Sequence, residues 1–313
     1  MRLADAVGNT PLVECPRLSP RPGVRLFAKL EGGNPSGSIK DRVARALLDA
    51  AERSGALQPG GEIVEASSGN TAIALGALAR SRGYRCHVVL PHGCVPTIAD
   101  ALALLGVRVT VCESVAGMKG AIDVAEAYAR ATGAVPMRQF SSPDNERVHY
   151  EETAAEILAR FTEGGPLGER LDVFVAGIGT GGTIMGVGRR LREVNPQVRV
   201  VGVEPRMGER LQGLKSVDDG FAPPLLDLDL LSRRMLVDAA TSLRAAERLM
   251  AAEGIVAGVS AGATLHAALS EADRLSTGNI VFMCSDGGWK YLPTRPWDAA
   301  AADDARLDET HWW

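Results

Sequence analysis

Short apolar runs alternate with longer amphipathic segments along almost the whole chain, and this alternation restricts the fold more than any other feature. Apolar runs occur at Val24–Leu30, Glu62–Glu65, Cys86–Leu90, Val107–Cys112, Asp172–Ala176, Val198–Glu204 and Asn279–Ser285. Most are apolar at consecutive positions, the pattern of strands covered on both faces. Between them, Asp41–Ser54, Thr71–Arg82, Met118–Thr132, Glu151–Phe161, Thr183–Val194 and Ser242–Glu253 read as helices with charges on one side. The alternation predicts an α/β protein with parallel sheets and helices on both faces. Phe161–Asp172 reads as a polar connection, and Met207–Asp229 as a long surface loop beside a site.

A chain of 313 residues allows one large or two ordinary domains. At that length folding buries roughly 75% of the unfolded surface, so no metal or disulfide staple is needed. The formal charge of −4 gives no basic excess for tracking phosphate backbones, which argues against nucleic acid as partner. The five cysteines, Cys15, Cys86, Cys94, Cys112 and Cys284, are odd in number and lack metal-site spacing, and three sit in or beside apolar runs. Buried free thiols in a reducing compartment are expected, with no metal. No stretch reaches the roughly 20 apolar residues of a membrane span, and the first residues lack a signal-peptide core, so the expected location is cytoplasmic. Of 34 cations only five are lysines: Lys29, Lys40, Lys119, Lys215 and Lys290. Chemistry that needs a lysine amine has five candidates.

Four motifs stand at strand-to-helix junctions. Gly177-Ile-Gly179-Thr180-Gly181-Gly182 fits a dinucleotide fingerprint, with Glu204 lying 22 residues further on. Its physical content is narrower: backbone N–H groups converge at a helix N-terminus, where any phosphate is favoured. Asn34-Pro-Ser-Gly-Ser-Ile-Lys40-Asp41-Arg42 places a lysine at a helix beginning, where the dipole favours the neutral, nucleophilic amine that a Schiff base with an aldehyde needs. Ser67-Ser68-Gly69-Asn70-Thr71 gathers hydroxyls and an amide around free N–H groups, a pocket sized for a carboxylate. Gly258-Val-Ser260-Ala-Gly262 opens another helix with a single hydroxyl, which read alone is a cap. An activated lysine, a phosphate nest and a carboxylate nest together describe a site for pyridoxal phosphate and an amino acid.

The ordered motifs NPSGSIKDR, SSGNT, GTGGT and GVSAGA, with GNTPL near the start and SDGGWKYL late, resemble the cysteine synthase group of fold-type II pyridoxal-phosphate enzymes. The resemblance runs from about Val7 to Pro293. It implies a tryptophan synthase β-like fold of two three-layer domains with mostly parallel sheets. Residues 37–145 would form the smaller domain, 1–36 with 146–296 the larger cofactor-binding one, and 297–313 an acidic tail. Glu204-Pro-Arg206, Asp218-Asp-Gly220-Phe221 and Gly288-Trp-Lys290-Tyr-Leu292 are similar to the branch that uses O-phosphoserine and a sulfur-carrier protein.

The resemblance gives Lys40 the covalent bond to the cofactor and transfer of the substrate's α-proton. Asn70 would bond the cofactor's 3′-oxygen, Gly179, Thr180, Gly181, Gly182 and Thr183 its phosphate, and Ser260 its pyridine nitrogen. Ser67, Ser68, Thr71 and Gln139 would grip the substrate carboxylate. The implied reaction is β-replacement on O-acetylserine or O-phosphoserine through α-aminoacrylate, giving cysteine with a sulfide or carrier-thiocarboxylate donor, by a homodimer.

Three departures bear on substrate. The carboxylate motif reads Ala66-Ser67-Ser68-Gly69-Asn70-Thr71-Ala72 where the family has Thr-Ser-Gly-Asn-Thr-Gly. The segment Pro91–Ala99 lacks the family's acidic residue and arginine pair. The branch's phosphate-reading arginine aligns with Lys215, which keeps a point charge and loses the bidentate fork. The alternatives are therefore another nucleophile, such as ammonia giving 2,3-diaminopropionate, a serine or threonine dehydratase, and, distantly, an NAD-dependent dehydrogenase. Trp312 and Trp313 end the tail, which is expected to fold over the site or dock on a partner; Cys94 is expected to be a bystander.

Overall fold

The computed structural model describes all residues except 93–95, 114–116, 162–169, 210, 220–221 and 295–313, and for 96 and 97 the backbone alone. Cys94 and the tail with Trp312 and Trp313 lie outside the described residues, as do Gly220 and Phe221 and parts of the Pro91–Ala99 and Phe161–Asp172 segments. The described strands are β1 (Leu12–Glu14), β2 (Val24–Leu30), β3 (Glu62–Ala66), β4 (Arg85–Pro91), β5 (Arg108–Cys112), β6 (Val135–Pro136), β7 (Val173–Gly177), β8 (Arg199–Pro205), β9 (Arg233–Val237) and β10 (Gly278–Cys284). The helices are α1 (Lys40–Arg53), α2 (Asn70–Ser81), α3 (Pro96–Leu104), α4 (Gly117–Thr132), α5 (Pro143–Val148), α6 (Ala154–Phe161), α7 (Gly182–Val194), α8 (Ala239–Glu253) and α9 (Val259–Ala272).

Two sheets form. One has the order β1-β2-β10-β7-β8-β9, with only the β1 edge antiparallel, and the other has β5-β4-β3-β6, parallel throughout. Each is covered on both faces, as continuous apolar strands require. In the larger sheet, Leu243 and Leu249 of α8 with Ala261 and Leu265 of α9 bury against Leu26, Val175 and Phe282. On the opposite face Ile157 of α6 and Ile184 and Leu191 of α7 pack on Phe27, Phe174 and Val281. In the smaller sheet, Val43 and Leu48 of α1 and Leu75 and Leu78 of α2 cover Ile63 and Val88. Met118 and Ala125 of α4 cover the other face at Val64 and Val89. The result is the expected two-domain α/β architecture, three layers around each sheet.

The seven predicted strands are present to within one or two residues. Three others escaped the sequence reading: β1 and β6 have three and two residues, too short to carry a period, and β9 begins with Arg233-Arg234. The predicted helix over Glu151–Phe161 is longer and interrupted. It begins at α5, where Ser142 caps by accepting from the Asp144 N–H at 3.3 Å, and passes through a π-helical turn at His149–Thr153 before α6. The predicted Met207–Asp229 loop contains short 3-10 turns at Val217–Asp219 and Leu228–Leu230.

Site-forming segments sit at the carboxyl ends of parallel strands, where such sheets place ligands. β2 leads toward α1, β3 opens into Ser67–Gly69 before α2, and β7 into Ile178–Gly181 before α7. Cys15, Cys86, Cys112 and Cys284 are free and buried, and burial pushes the thiols of Cys15 and Cys86 up to about 12. Among the described residues no helix is long and apolar enough to cross a membrane.

Candidate active site

Lys40 is the first residue of α1 and lines a cavity of about 550 Å³. The same cavity is lined by Ser67, Ser68, Asn70, Thr71, Gln139, Gly179, Thr180 and Lys215. A smaller adjoining cavity adds Gly181, Thr183 and Ser260 while sharing Lys40, Asn70, Gly179 and Thr180. Of the residues assigned from the sequence only Gly182 lines neither space, and it forms the start of α7 behind them. Chain segments more than 200 residues apart therefore converge on one lysine.

The lysine is suited to act as a neutral amine. Burial lowers its pKa and the carboxylate of Asp286 partly restores it, leaving a value of about 8. The position at the start of α1 predicts such a depression from the helix dipole, but desolvation is its principal cause.

The carboxylate nest is organised by its own hydrogen bonds. Ser67 Oγ accepts the N–H groups of Gly69 at 3.3 Å and Ala72 at 3.2 Å, capping α2 and leaving its hydrogen to donate. Thr71 donates its hydroxyl to Gln139 Oε1 at 2.6 Å, and Gln139 Nε2 donates to the Ala66 carbonyl at 2.9 Å. The backbone N–H of Gln139 donates to Glu65 at 3.1 Å. Glu65 is fully buried, and desolvation pushes its carboxyl up to about 8.

At the α7 terminus the backbone leaves no room for side chains. Gly181 adopts φ +89°, and a Cβ on Gly182 would stand 2.1 Å from Asn145 Oδ1. A Cβ on Gly179 would approach the Gly213 carbonyl oxygen to 2.6 Å. Glu204, which completes the dinucleotide pattern in sequence, pairs with Arg234 at 2.6 Å and accepts the Val217 N–H at 2.6 Å. It is thus engaged in holding its own loop.

Several site residues have no local sequence pattern. Asn145 Nδ2 donates both to the Gln139 carbonyl at 2.7 Å and to Thr180 Oγ1 at 2.9 Å, joining the carboxylate nest to the phosphate nest. His149, on the π-helical turn, lies 3.0 Å from Thr153 Oγ1 and 3.2 Å from Thr183 Oγ1. Burial and the charges of Lys40 and Arg42 hold its pKa well below the usual range, so the ring is neutral. Asp286 accepts from Asn70 Nδ2 at 2.8 Å and from the Tyr291 hydroxyl, and Lys290 donates to Asn70 Oδ1 at 2.7 Å. The DGGWKY stretch shows polar residues, but nothing in it points to Asn70.

A buried amine near neutrality, a glycine cradle at a helix N-terminus and a hydroxyl-lined nest fit a phosphorylated aldehyde such as pyridoxal phosphate beside an amino acid.

Comparison with known proteins agrees with this chemistry. The family model of pyridoxal-phosphate dependent enzymes matches residues 3–286. The O-ureido-L-serine synthase of Streptomyces lavendulae is 38% identical over 315 residues, spanning 97% of this chain and 95% of that protein. Cysteine synthase B of Pseudomonas aeruginosa is 35% identical over 296 residues, spanning 95% and 97%. The crystal structure of O-ureido-L-serine synthase superposes with a TM-score of 0.89 at 37% identity, covering 98% of each chain.

Proposed function

The chain belongs to the pyridoxal-phosphate dependent enzymes, as a cysteine synthase-like transferase acting on an O-activated serine, and we propose that it converts O-acetyl-L-serine or O-phospho-L-serine to L-cysteine. The observation that carries this reading is the convergence of Lys40, the Ser67–Thr71 nest with Gln139, and Lys215 on one cavity.

Lys40 would hold the cofactor through its amine, the N–H groups of Gly179 to Thr183 its phosphate, Asn70 its 3′-oxygen and Ser260 its pyridine nitrogen. When bound, pyridoxal phosphate supplies an electron sink beside the substrate's α-carbon. Ser67, Ser68, Thr71 and Gln139 orient the substrate carboxylate. Lys40 would take the α-proton as a neutral amine, a form that the burial lowering its pKa to about 8 favours over that of an ordinary lysine. The replacement would exchange the β C–O bond for a bond to the nucleophile, the acetate or phosphate leaving with the C–O electron pair, and the Lys40 ammonium would hold the proton for return to Cα. Ser260 would offer the ring nitrogen a hydroxyl, which, unlike a carboxylate, would not hold it protonated. Lys215 supplies a point charge for a phosphate leaving group.

A second reading differs in the nucleophile alone. Glu209, Gln212 and Lys215 line the cavity together with Lys40, so polar groups are available to a nucleophile that makes hydrogen bonds. The similarity to an O-ureido-L-serine synthase favours an oxygen or nitrogen nucleophile of hydroxyurea type. Mass analysis of the amino acids formed from each activated serine with sulfide, ammonia or hydroxyurea decides between them. Cysteine as the preferred product supports the first reading, a ureido or diamino product the second, and no product from any pair refutes both.

A further inference from the structure

Lys290 lines neither cavity, and its contacts tie it to the site through Asn70. Its Nζ donates to Asn70 Oδ1 at 2.7 Å, while Asn70 Nδ2 donates to Asp286 Oδ2 at 2.8 Å. A side-chain amide turns over at little cost unless its partners distinguish oxygen from nitrogen. Here they do: an ammonium only donates, and an ionised carboxylate only accepts.

The surroundings hold Lys290 in place. Asp286 and Asp41 offset the burial that lowers its pKa, and Tyr291 donates to the same Asp286 oxygen that Asn70 uses. Lys40 is the other cation facing Asp286. A Cβ on Gly37, at φ +83°, would come within 3.2 Å of Lys290 Cε and 2.9 Å of the Trp289 ring, so a glycine there clears the path of the side chain. Asn70 itself lines both cavities of the site. With Oδ1 turned to Lys290 and one Nδ2 hydrogen on Asp286, the group it presents to a ligand is the second N–H.

We propose that Lys290 is a positioning residue whose ammonium fixes the Asn70 amide so that an N–H, and not the carbonyl, faces the ring oxygen of bound pyridoxal phosphate, holding that oxygen as an anion. The proposal rests on the reading that Asn70 meets this oxygen. Without Lys290 the Asp286 carboxylate still selects the same orientation, but Oδ1 loses its donor, so the amide is held less firmly and its N–H is a weaker partner for an anionic oxygen, which favours the protonated form.

The test uses the cofactor-loaded enzyme and its absorption. The ratio of the visible band to the near-ultraviolet band, followed against pH, reports the ionisation of the ring oxygen. Lys290→Met is expected to move that equilibrium about tenfold toward the protonated form, the size of one charge-assisted hydrogen bond. Lys290→Arg is expected to restore it, and Lys290→Met to add nothing in an Asn70→Ala background. Lys290→Gln serves as a second substitution should the methionine disturb folding, and circular dichroism checks each variant. A Lys290→Met or Lys290→Gln protein that loads and titrates like the wild type overturns the proposal, as does a shift that persists in the Asn70→Ala background. If Asn70→Ala alone leaves the equilibrium unchanged, the reading of Asn70 falls and the proposal with it.

Discussion

Arg42, two residues beyond Lys40, donates to Glu156 through Nη1 at 2.7 Å and Nη2 at 2.8 Å, tying the helix that starts with the lysine to α6. The pair belongs to a buried cluster. Arg42 also donates to Glu31 from Nε at 2.8 Å and Nη2 at 2.9 Å, and Lys29 donates to Glu156 and to the Thr10 carbonyl. Arg42 and Glu31 are fully buried, so removing one partner strands a charge without water.

Glu156→Gln is accordingly expected to lower stability by roughly 3 kcal/mol at neutral pH, the usual size for breaking a buried pair. Burial works against ionisation of Glu156, but the Arg42 and Lys29 donors bring its carboxyl down to about 2. A depressed carboxylate stabilises the fold above its unfolded value and loses that contribution as pH falls toward 2. Denaturant unfolding should therefore give a smaller difference between wild type and variant at acid pH than at neutral pH. A difference independent of pH would contradict the assignment.

Loading of the apoprotein depends on the free Lys40 amine. Because its pKa of about 8 lies below that of an ordinary lysine, the rate of cofactor capture should rise with pH to a midpoint near 8. Stopped-flow growth of the visible band measures it, and a rate still rising steeply well above that pH would show an unperturbed lysine.

Gln139 lines the cavity, and in the proposed function it orients the substrate carboxylate. It is locked by Thr71, by the Ala66 carbonyl and by Glu65, and Arg138 before it holds φ +54° while paired with Glu126. Gln139→Ala is expected to raise KM for the activated serine by about tenfold to a hundredfold, the loss of one hydrogen bond to a charged group. Cofactor affinity, measured by equilibrium dialysis, should change by less than threefold, since about 0.6 kcal/mol covers indirect effects. Equal losses in both would place Gln139 in the cofactor cradle.

In the proposed function Lys215 is the group that would distinguish the two leaving groups. Lys215→Ala should lower kcat/KM for O-phospho-L-serine by about tenfold or more while leaving O-acetyl-L-serine nearly unchanged, because of the two leaving groups only the phosphate is charged. Equal effects on the two substrates would deny it a role in reading phosphate.

Much of the fold and part of the site were legible in the sequence, for a common reason. Strands buried on both faces print as continuous apolar runs, and ligand nests at strand ends print as Gly, Ser and Thr clusters before a helix. Lys40, Ser67 to Thr71 and Gly179 to Thr183 all lie in such junctions. Asn145, His149, Asp286 and Lys290 do not, because each works through a residue distant in the chain: Lys290 through Asn70, His149 through Thr183. The edge strand β9, opening with two arginines, and the short β1 and β6 were hidden for lack of length or apolar pattern. The depressed lysine was anticipated, though its principal cause, desolvation, exists only once the chain is folded.

Lys40 and Lys290 both face Asp286, and the proposed function requires that Lys40 carry the cofactor. Borohydride reduction of the loaded enzyme followed by peptide mass mapping tests it most directly. The phosphopyridoxyl mass is expected on Lys40 alone; the same mass on Lys119, Lys215 or Lys290, or on no lysine, refutes Lys40 as the cofactor lysine.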